Sequence, residues 1–295
     1  MPTTLPQVAR ISLKNILIPT DFSEVSNAAL PFARALSKIY GATILTAHVL
    51  PREPLLEVVP DRLPAQDDRG WQEARRKLGG CTHEPSIDEA PCRALVDCGD
   101  LADVIPAMIR EHDIDLVVLG THGRRGVSRI VLGSGAEKIY RSAQCPVMTV
   151  GPKAQKIGPD WQPRRILCPV DAARDPEPAL HYALSLAEEN QAQITVLQAV
   201  PMVPWQHRAS VERQTRHSLE SLMPVQASDW CRPEFRVRWE HPVEAILRAA
   251  TECEPDLVVM GVRKVRATAW SAHLPWPIAS EVVARAPCPV LTVRV

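Results

Sequence analysis

A glycine-rich loop between a predicted strand and a predicted helix is the part of this sequence best suited to chemistry. Asp115-Leu-Val-Val-Leu-Gly120 has the pattern of a strand buried on both faces, and further glycines follow it. Glycine has no Cβ, so a ligand can approach its backbone closely. Ser134 stands where the next helix begins, and the unpaired N–H groups and the dipole of a helix start favour phosphate. The loop predicts either a nucleotide site or a tight turn without a ligand.

The two best-known phosphate loops do not match this stretch. A P-loop requires Gly-x-x-x-x-Gly-Lys-Ser/Thr, and no lysine stands at that spacing. A dinucleotide fingerprint requires Gly-x-Gly-x-x-Gly, but Gly133-Ser134-Gly135 is followed by Lys138 at the last position. The loop therefore belongs to another class.

Three motifs together resemble the universal stress protein family. Gly120-x-x-Gly123, nine residues and then Gly133-Ser134 is similar to the ATP-binding loop of that family. The segments Pro19-Thr-Asp-Phe-Ser23 and Cys145-Pro-Val-Met-Thr-Val150 resemble its first and last strands. The resemblance covers residues 13–151 and, more weakly, residues 163–295, which indicates a member with two tandem domains.

The resemblance implies an ATP site and assigns roles to individual residues. Asp21 matches the aspartate that contacts the nucleoside, although an aspartate before a helix also acts as an N-cap. Val49 matches the position whose backbone meets adenine, or is simply core. Arg124 would pair with phosphates, or belong to a solvated basic loop. The binding residues that follow from the resemblance are Pro19, Thr20, Asp21, Val49, Gly120, Gly123, Arg124, Gly133, Ser134 and Gly135.

The elements that position these residues are predicted by hydrophobic periodicity. Strands alternating with helices indicate an α/β fold with a doubly wound, Rossmann-like parallel sheet. The resemblance to the universal stress protein family implies the adenine nucleotide α-hydrolase-like type of this fold. Such sheets bind ligands beyond the carboxyl ends of their strands, where Asp21, Val49 and Gly120 lie. The predicted strands are 13–21, 42–50, 92–98, 116–119 and 147–150, and the predicted helices are 23–40, 70–78, 101–112 and 134–142.

The pattern then repeats with altered loop chemistry. Ile16-Leu-Ile-Pro-Thr-Asp21 matches Ile166-Leu-Cys-Pro-Val-Asp171, and Asp115–Gly120 matches Asp256–Gly261. The predicted domains are 1–151 and 163–295, joined by a linker at 152–162. In the second copy the glycines after Gly261 are gone and Trp276-Pro277 stands near the expected helix start, where proline has no N–H for phosphate. One ATP per chain is therefore expected.

Composition restricts the remaining function classes. The chain has 295 residues, 45% of them hydrophobic, with 34 basic and 34 acidic side chains, so no basic excess favours nucleic acid or an anionic membrane. The sequence shows no signal peptide and no apolar run near the ~18 residues of a membrane span. A cytoplasmic protein with mostly reduced cysteines is predicted. A loose cluster of Cys81, His83, Cys92 and Cys98 lacks the Cys-x-x-Cys spacing of zinc sites, so no metal site is expected.

Three functions remain open at this point. The leading prediction is an ATP-binding stress-response protein in which ATP, with or without Mg²⁺, is a regulatory ligand. The alternatives are a slow ATPase or nucleotidyl-transferring enzyme using the same pocket, and a nucleotide-free interaction scaffold. No catalytic residue is identified. The apolar closing strands of the two repeats are expected to pair within the chain, because exposed strand edges aggregate, and a homodimer is left open.

Overall fold

Two copies of one strand-and-helix unit follow each other along the chain. The computed structural model describes residues 11–51, 69–82, 91–121, 133–154, 157–158, 160–172, 177–225, 227, 231, 233–262 and 276–294. The first unit contains β1 (Asn15–Pro19), α1 (Glu24–Asn27), α2 (Leu30–Tyr40), β2 (Thr43–Leu50), α3 (Arg69–Thr82), β3 (Cys92–Cys98), α4 (Leu101–Glu111), β4 (Leu116–Gly120), α5 (Ser134–Ser142) and β5 (Val147–Val150). The second contains β6 (Arg165–Pro169), α6 (Glu177–Asn190), β7 (Gln193–Ala199), α7 (Trp205–Ser221), β8 (Glu234–Arg238), α8 (Pro242–Cys253), β9 (Leu257–Val262), α9 (Trp276–Arg285) and β10 (Val290–Arg294).

The ten strands of the described residues belong to one continuous sheet. Their order is β3-β2-β1-β4-β5-β10-β9-β6-β7-β8, and every neighbouring pair is parallel except β5 and β10. Buried apolar side chains form a core on each face of this sheet, and each core draws on both units. The predicted α/β fold with two tandem parallel-sheet units is confirmed. In the described part of the chain, no helix is long and apolar enough to cross a membrane.

The helix predicted over residues 23–40 is divided in two. The helix α1 ends at Asn27 and α2 begins at Leu30, with Pro31 in the first turn of α2. Proline has no N–H to donate to the carbonyl four residues earlier, and its ring clashes with that carbonyl. The helical periodicity continues through the break, which is why the pattern alone predicts one helix.

An aspartate before the fourth strand of each unit ties that strand to the first. Asp115 accepts hydrogen bonds from the N–H groups of Lys14 (2.7 Å) and Asn15 (3.0 Å), and Asp256 accepts one from Arg165 (2.8 Å). The two aspartates occupy the same place in their units. The aspartate of the shared Asp-Leu-Val-Val sequence therefore has a structural role at the amino ends of the strands, opposite the carboxyl ends where the site is predicted.

The two units are joined by antiparallel pairing of their closing strands. Leu291 lies opposite Met148, and both side chains are buried. The hydroxyl of Thr292 donates to the carbonyl of Val147 at 3.0 Å. The guanidinium of Arg294 donates to the last carbonyls of α5, those of Tyr140 (2.9 Å) and Arg141. The prediction that the closing strands of the repeats pair within one chain is confirmed.

Candidate functional site

The carboxyl ends of β1, β2 and β4 meet the first turn of α5 around a cavity of about 250 Å³. The strand β1 lies between β2 and β4. The chain passes from β1 to β2 on one side and later reaches β4 on the other side, and a crevice opens at such a reversal of strand order. Backbone of four elements and small side chains form most of the walls. The lining residues are Pro19, Thr20, Asp21, Ser23, Ser26, Ala47, His48, Val49, Leu101, Leu119, Gly120, Thr121, Gly133, Ser134, Gly135, Ala136 and Ile139.

The loop after β1 presents Asp21 on a tightly bonded turn. The N–H of Ser23 donates to Oδ1 of Asp21 at 3.0 Å, and the N–H of Phe22 donates to the hydroxyl of Thr20 at 2.9 Å. Ser23 in turn caps α1 by accepting from the N–H of Ser26. Partial burial disfavours ionisation of Asp21, but hydrogen bonds from Ser23 and Ser26 outweigh it, so the pKa of this carboxyl lies below its ordinary value. Asp21 is therefore an anionic acceptor at neutral pH.

His48 supports this loop from the neighbouring strand. Its Nδ1 lies 2.8 Å from the carbonyl oxygen of Thr20. Because a carbonyl can only accept, Nδ1 carries the proton, and Nε2 is the nitrogen left to accept a hydrogen bond. The His48 ring packs 4.4 Å from the ring of Phe22, a residue held at φ 63. That left-handed backbone is costly for a bulky residue, so the contacts of His48 help to hold it.

Gly120 allows β4 to approach α1 more closely than any other residue would. A Cβ at this position would stand 1.8 Å from the carbonyl oxygen of Val25 and 2.8 Å from its carbon. These are backbone atoms, which cannot rotate out of the way. The first role of Gly120 is therefore to pack the strand end against the helix that follows Asp21.

This close contact leads to a stability prediction. Gly120→Ala is expected to lower the free energy of unfolding by about 2–3 kcal/mol, because overpacking against backbone forces a shift of α1 or β4. Denaturant unfolding followed by circular dichroism measures the change. Gly133→Ala is the matched control from the same cavity, since a Cβ on Gly133 meets no atom of the described residues within 4 Å. Equal stability of the two variants would contradict the packing role of Gly120.

The start of α5 forms the opposite wall of the cavity. Gly133 is the N-cap residue and has no side chain to accept from the first N–H groups of the helix. Gly133, Ser134 and Gly135 all line the cavity, so those backbone donors border it. Nearby, Lys138 forms an ion pair with Asp100 at 2.6 Å, and this partner lowers the pKa of the Asp100 carboxyl. This wall therefore offers backbone donors, and the Lys138–Asp100 pair lies outside the residues that line the cavity.

The structure brings eight of the ten residues expected to bind nucleotide to this one cavity. Gly123 and Arg124 lie outside the described residues. Their assignment to a ligand stays a prediction, as do the domain boundaries. The eight that line the cavity are Pro19, Thr20, Asp21, Val49, Gly120, Gly133, Ser134 and Gly135.

Several wall residues were not predicted. Leu101 follows the N-cap Asp100 at the carboxyl end of β3, and that cap signal could have placed it near the crevice. Ile139 stands four residues after Gly135, so helical spacing puts both on one face of α5. Ser23, Ser26 and His48 are likewise absent from the predicted binding residues. The structure gives His48 a supporting contact with the carbonyl of Thr20.

A model of the universal stress protein family matches residues 12–151 and again residues 163–294. The chain belongs to this family. It carries the family's domain twice, and the tandem arrangement expected from the sequence is confirmed.

Individual universal stress proteins resemble one domain or the whole chain. A universal stress protein of Methanocaldococcus jannaschii is 28% identical over 148 residues, covering 46% of this chain and 81% of its own length. Universal stress protein G of Salmonella typhimurium is 30% identical over 143 residues, covering 46% of this chain and 98% of its own. The crystal structure of a universal stress protein from Archaeoglobus fulgidus covers 95% of this chain and 98% of its own, with 17% identity and a TM-score of 0.70. That last likeness supports the tandem fold alone.

The second domain of this universal stress protein differs at the corresponding positions. Asp171 follows β6 as Asp21 follows β1, and Gly261 lies near the end of β9. The helix α9, which corresponds to α5, begins at Trp276 and has Pro277 as its second residue. Pro277 removes one N–H from the helix start. The intervening residues 263–275 lie outside the described residues.

Proposed function

We propose that the first domain binds ATP as a regulatory ligand and that the second domain binds none. The observation that supports this most is the meeting of Asp21, the β2 backbone and the α5 start around one cavity at the switch point of the sheet. In this proposal Asp21 accepts from a nucleoside hydroxyl, Val49 offers its backbone to the base, and Gly133 to Gly135 surround the phosphates. A role in the stress response follows from the family.

The chemistry of the cavity suits the two unlike ends of a nucleotide. Leu101, Leu119 and Ile139 supply apolar surface for a base, and Asp21 supplies an ionised acceptor. Helix starts stabilise phosphate through backbone N–H groups and the helix dipole. About 250 Å³ is slightly below the usual range for small-molecule clefts, roughly 300–1,000 Å³, so the phosphates would extend beyond the described walls next to Gly133.

Binding without rapid turnover is favoured over catalysis. Asp21 and His48 are the titratable side chains among the described lining residues, and both have bonds within the protein: Asp21 to Ser23, and His48 to Thr20. Among the described lining residues there is no further carboxylate or imidazole that could activate a water. Among the described residues, no group of three or more His, Cys, Asp or Glu side chains is arranged to hold a metal. In this proposal any Mg²⁺ would therefore bind together with the nucleotide.

The decisive experiment is direct measurement of nucleotide on the pure protein. Small molecules released on denaturation identify a ligand that copurifies, and calorimetry with ATP on stripped protein gives the affinity. Saturable ATP binding with less than one turnover per minute supports the regulatory role. Multiple turnovers per minute would support the slow ATPase or transferase, and no binding would support a nucleotide-free scaffold.

Asp21→Ala tests the nucleoside end of the proposed site. The variant is expected to bind ATP roughly 10- to 100-fold more weakly, because a hydrogen bond to a charged group contributes about 1.5–3 kcal/mol. Calorimetry on the folded variant measures the loss. Asp171→Ala, the same change at the corresponding position of the second domain, is the control and should leave ATP affinity unchanged. If both variants bound like the parent protein, the assignment of Asp21 would be wrong.

A further inference from the structure

We propose that Arg294 of the second domain is a positioning residue for the nucleotide site of the first domain, because it holds the helix α5. The first turn of α5 borders the cavity, and Arg294 bonds the last turn of the same helix. The second domain thereby raises the affinity of the first domain for ATP. This inference rests on the proposed function, since it concerns the regulation of the same site.

The guanidinium of Arg294 completes the hydrogen bonding at the end of α5. The last carbonyls of a helix have no N–H partner within it. In α5 the carbonyl of Ile139 accepts from the N–H of Ala143 at 2.8 Å. The next two carbonyls, those of Tyr140 and Arg141, accept from Nη2 of Arg294 at 2.9 Å and 2.6 Å. Arg294 therefore caps α5 from the second domain and places a cation at the negative end of the helix dipole.

The helix α5 depends on contacts with other elements to hold its position. It spans nine residues, and isolated helices shorter than roughly 12–15 residues are marginal in water. Its N-cap residue, Gly133, has no side chain to bond the first turn. Near its start the ion pair of Lys138 with Asp100 ties it to the cap of α4, and at its end Arg294 ties it to β10. Loss of the second tie would leave the last turn free to fray.

The two ends of α5 are close enough for a contact at one end to affect the other. Ser134 and Arg141 are seven residues apart, which is roughly 10 Å along the axis of a helix. Ile139 lines the cavity and directly precedes Tyr140, whose carbonyl Arg294 bonds. Fraying of the last turn would therefore move a wall residue of the cavity and loosen the backbone donors at the helix start.

The reverse contact, from the first domain to the second, is of a different kind. Cys145–Val150 matches Cys288–Val293 in the repeat, so Gly151 corresponds to Arg294. Gly151 packs against α9, where an added Cβ would collide with the carbonyl oxygen of Val283. Glycine has no side chain to donate to that helix. Of these two corresponding residues, Arg294 is therefore the one that can hold the helix of the other domain through side-chain hydrogen bonds.

Substitution of Arg294 in the full chain tests the proposal. Arg294→Met keeps an unbranched apolar stem but removes both hydrogen bonds and the charge. It should raise the dissociation constant of ATP about five- to tenfold, near the lower end of the usual coupling between two sites. Arg294→Lys keeps a cation that can donate to a carbonyl, so it should recover part of the affinity. Calorimetry with ATP measures both constants, and circular dichroism confirms that each variant is folded.

Arg285→Met is the matched control. Arg285 ends α9, the helix that corresponds to α5, and its guanidinium bonds Glu244 and Glu281 within the second domain. The control removes the same chemical group and the same kind of hydrogen bonds without touching α5. It should therefore leave the dissociation constant of ATP unchanged.

Hydrogen exchange separates positioning of α5 from a general effect on stability. Coupling between two sites is reciprocal, so ATP should slow amide exchange in the last turn of α5 in the parent protein. In Arg294→Met that protection should be smaller. A residue that merely stabilised the fold would change exchange across the whole sheet and leave the dissociation constant of ATP unaltered.

The outcomes distinguish a failure of this inference from a failure of the proposed function. A parent protein that binds no ATP would overturn the proposed function, and this inference with it. A parent that binds ATP, together with an Arg294→Met variant of equal affinity, would overturn this inference alone. Equal weakening by Arg294→Met and Arg285→Met would do the same, because the effect would then not pass through α5.

Discussion

Leu291→Asp is expected to prevent folding of both domains, although it changes one residue of the second. Leu291 is 3% exposed and lies opposite Met148, which is 1% exposed, in the strand pair that joins the domains. Both side chains belong to a core cluster that draws on both domains. A carboxylate placed there loses its hydration, and the cost of several kcal/mol is comparable to the roughly 5–15 kcal/mol that stabilises a typical domain.

Unfolding experiments measure this dependence. The parent protein should unfold in one cooperative transition, since β5 and β10 are inner strands of one sheet. The milder Leu291→Ala should lower the free energy of unfolding by about 2–5 kcal/mol without splitting the transition. Val225→Asp makes a comparable change at a side chain that is 88% exposed and should have little effect. A Leu291→Asp protein that kept a folded first domain would show that the domains are independent.

The strands and the switch-point cavity could be predicted because their signals are local. Runs such as Leu116–Leu119 are apolar at every position, which requires a strand covered on both faces, and Asp21 and Gly120 directly follow such runs. Strand ends meet at one edge of a parallel sheet, so their convergence needs no further information. Pairing of β5 with β10 could likewise be predicted, because two short apolar strands both close a unit.

The remaining features depend on contacts between segments far apart in sequence. His48 reads as one polar residue in an apolar strand, and only the fold places its ring against Phe22 and Nδ1 at Thr20. In the sequence Gly120 resembles a glycine that contacts a ligand. In the structure, a Cβ added at this position would first meet the carbonyl of Val25.

Gly133→Val is expected to weaken ATP binding to the chain while leaving the fold intact. The backbone of Gly133, φ −55 and ψ 145, suits any residue, and a Cβ there meets no described atom within 4 Å. The branched side chain would instead occupy the space proposed for the phosphates. Overpacking costs about 1–3 kcal/mol, so affinity should fall roughly 5- to 150-fold. Gly158→Val, at another glycine whose Cβ would meet no described atom within 4 Å, is the control and should bind normally.

Equilibrium dialysis with saturating ATP gives the stoichiometry that this variant addresses. The parent protein should bind one ATP per chain, because phosphate needs several convergent donors to offset the loss of its hydration. The first domain offers consecutive N–H groups from Ser134 and Gly135, whereas Pro277 removes one from the start of α9. Gly133→Val should therefore lower the number of sites occupied at the parental half-saturating concentration from about 0.5 to roughly 0.01–0.2 per chain. One site remaining in that variant, or two equivalent sites in the parent, would place a nucleotide on the second domain and contradict the assignment.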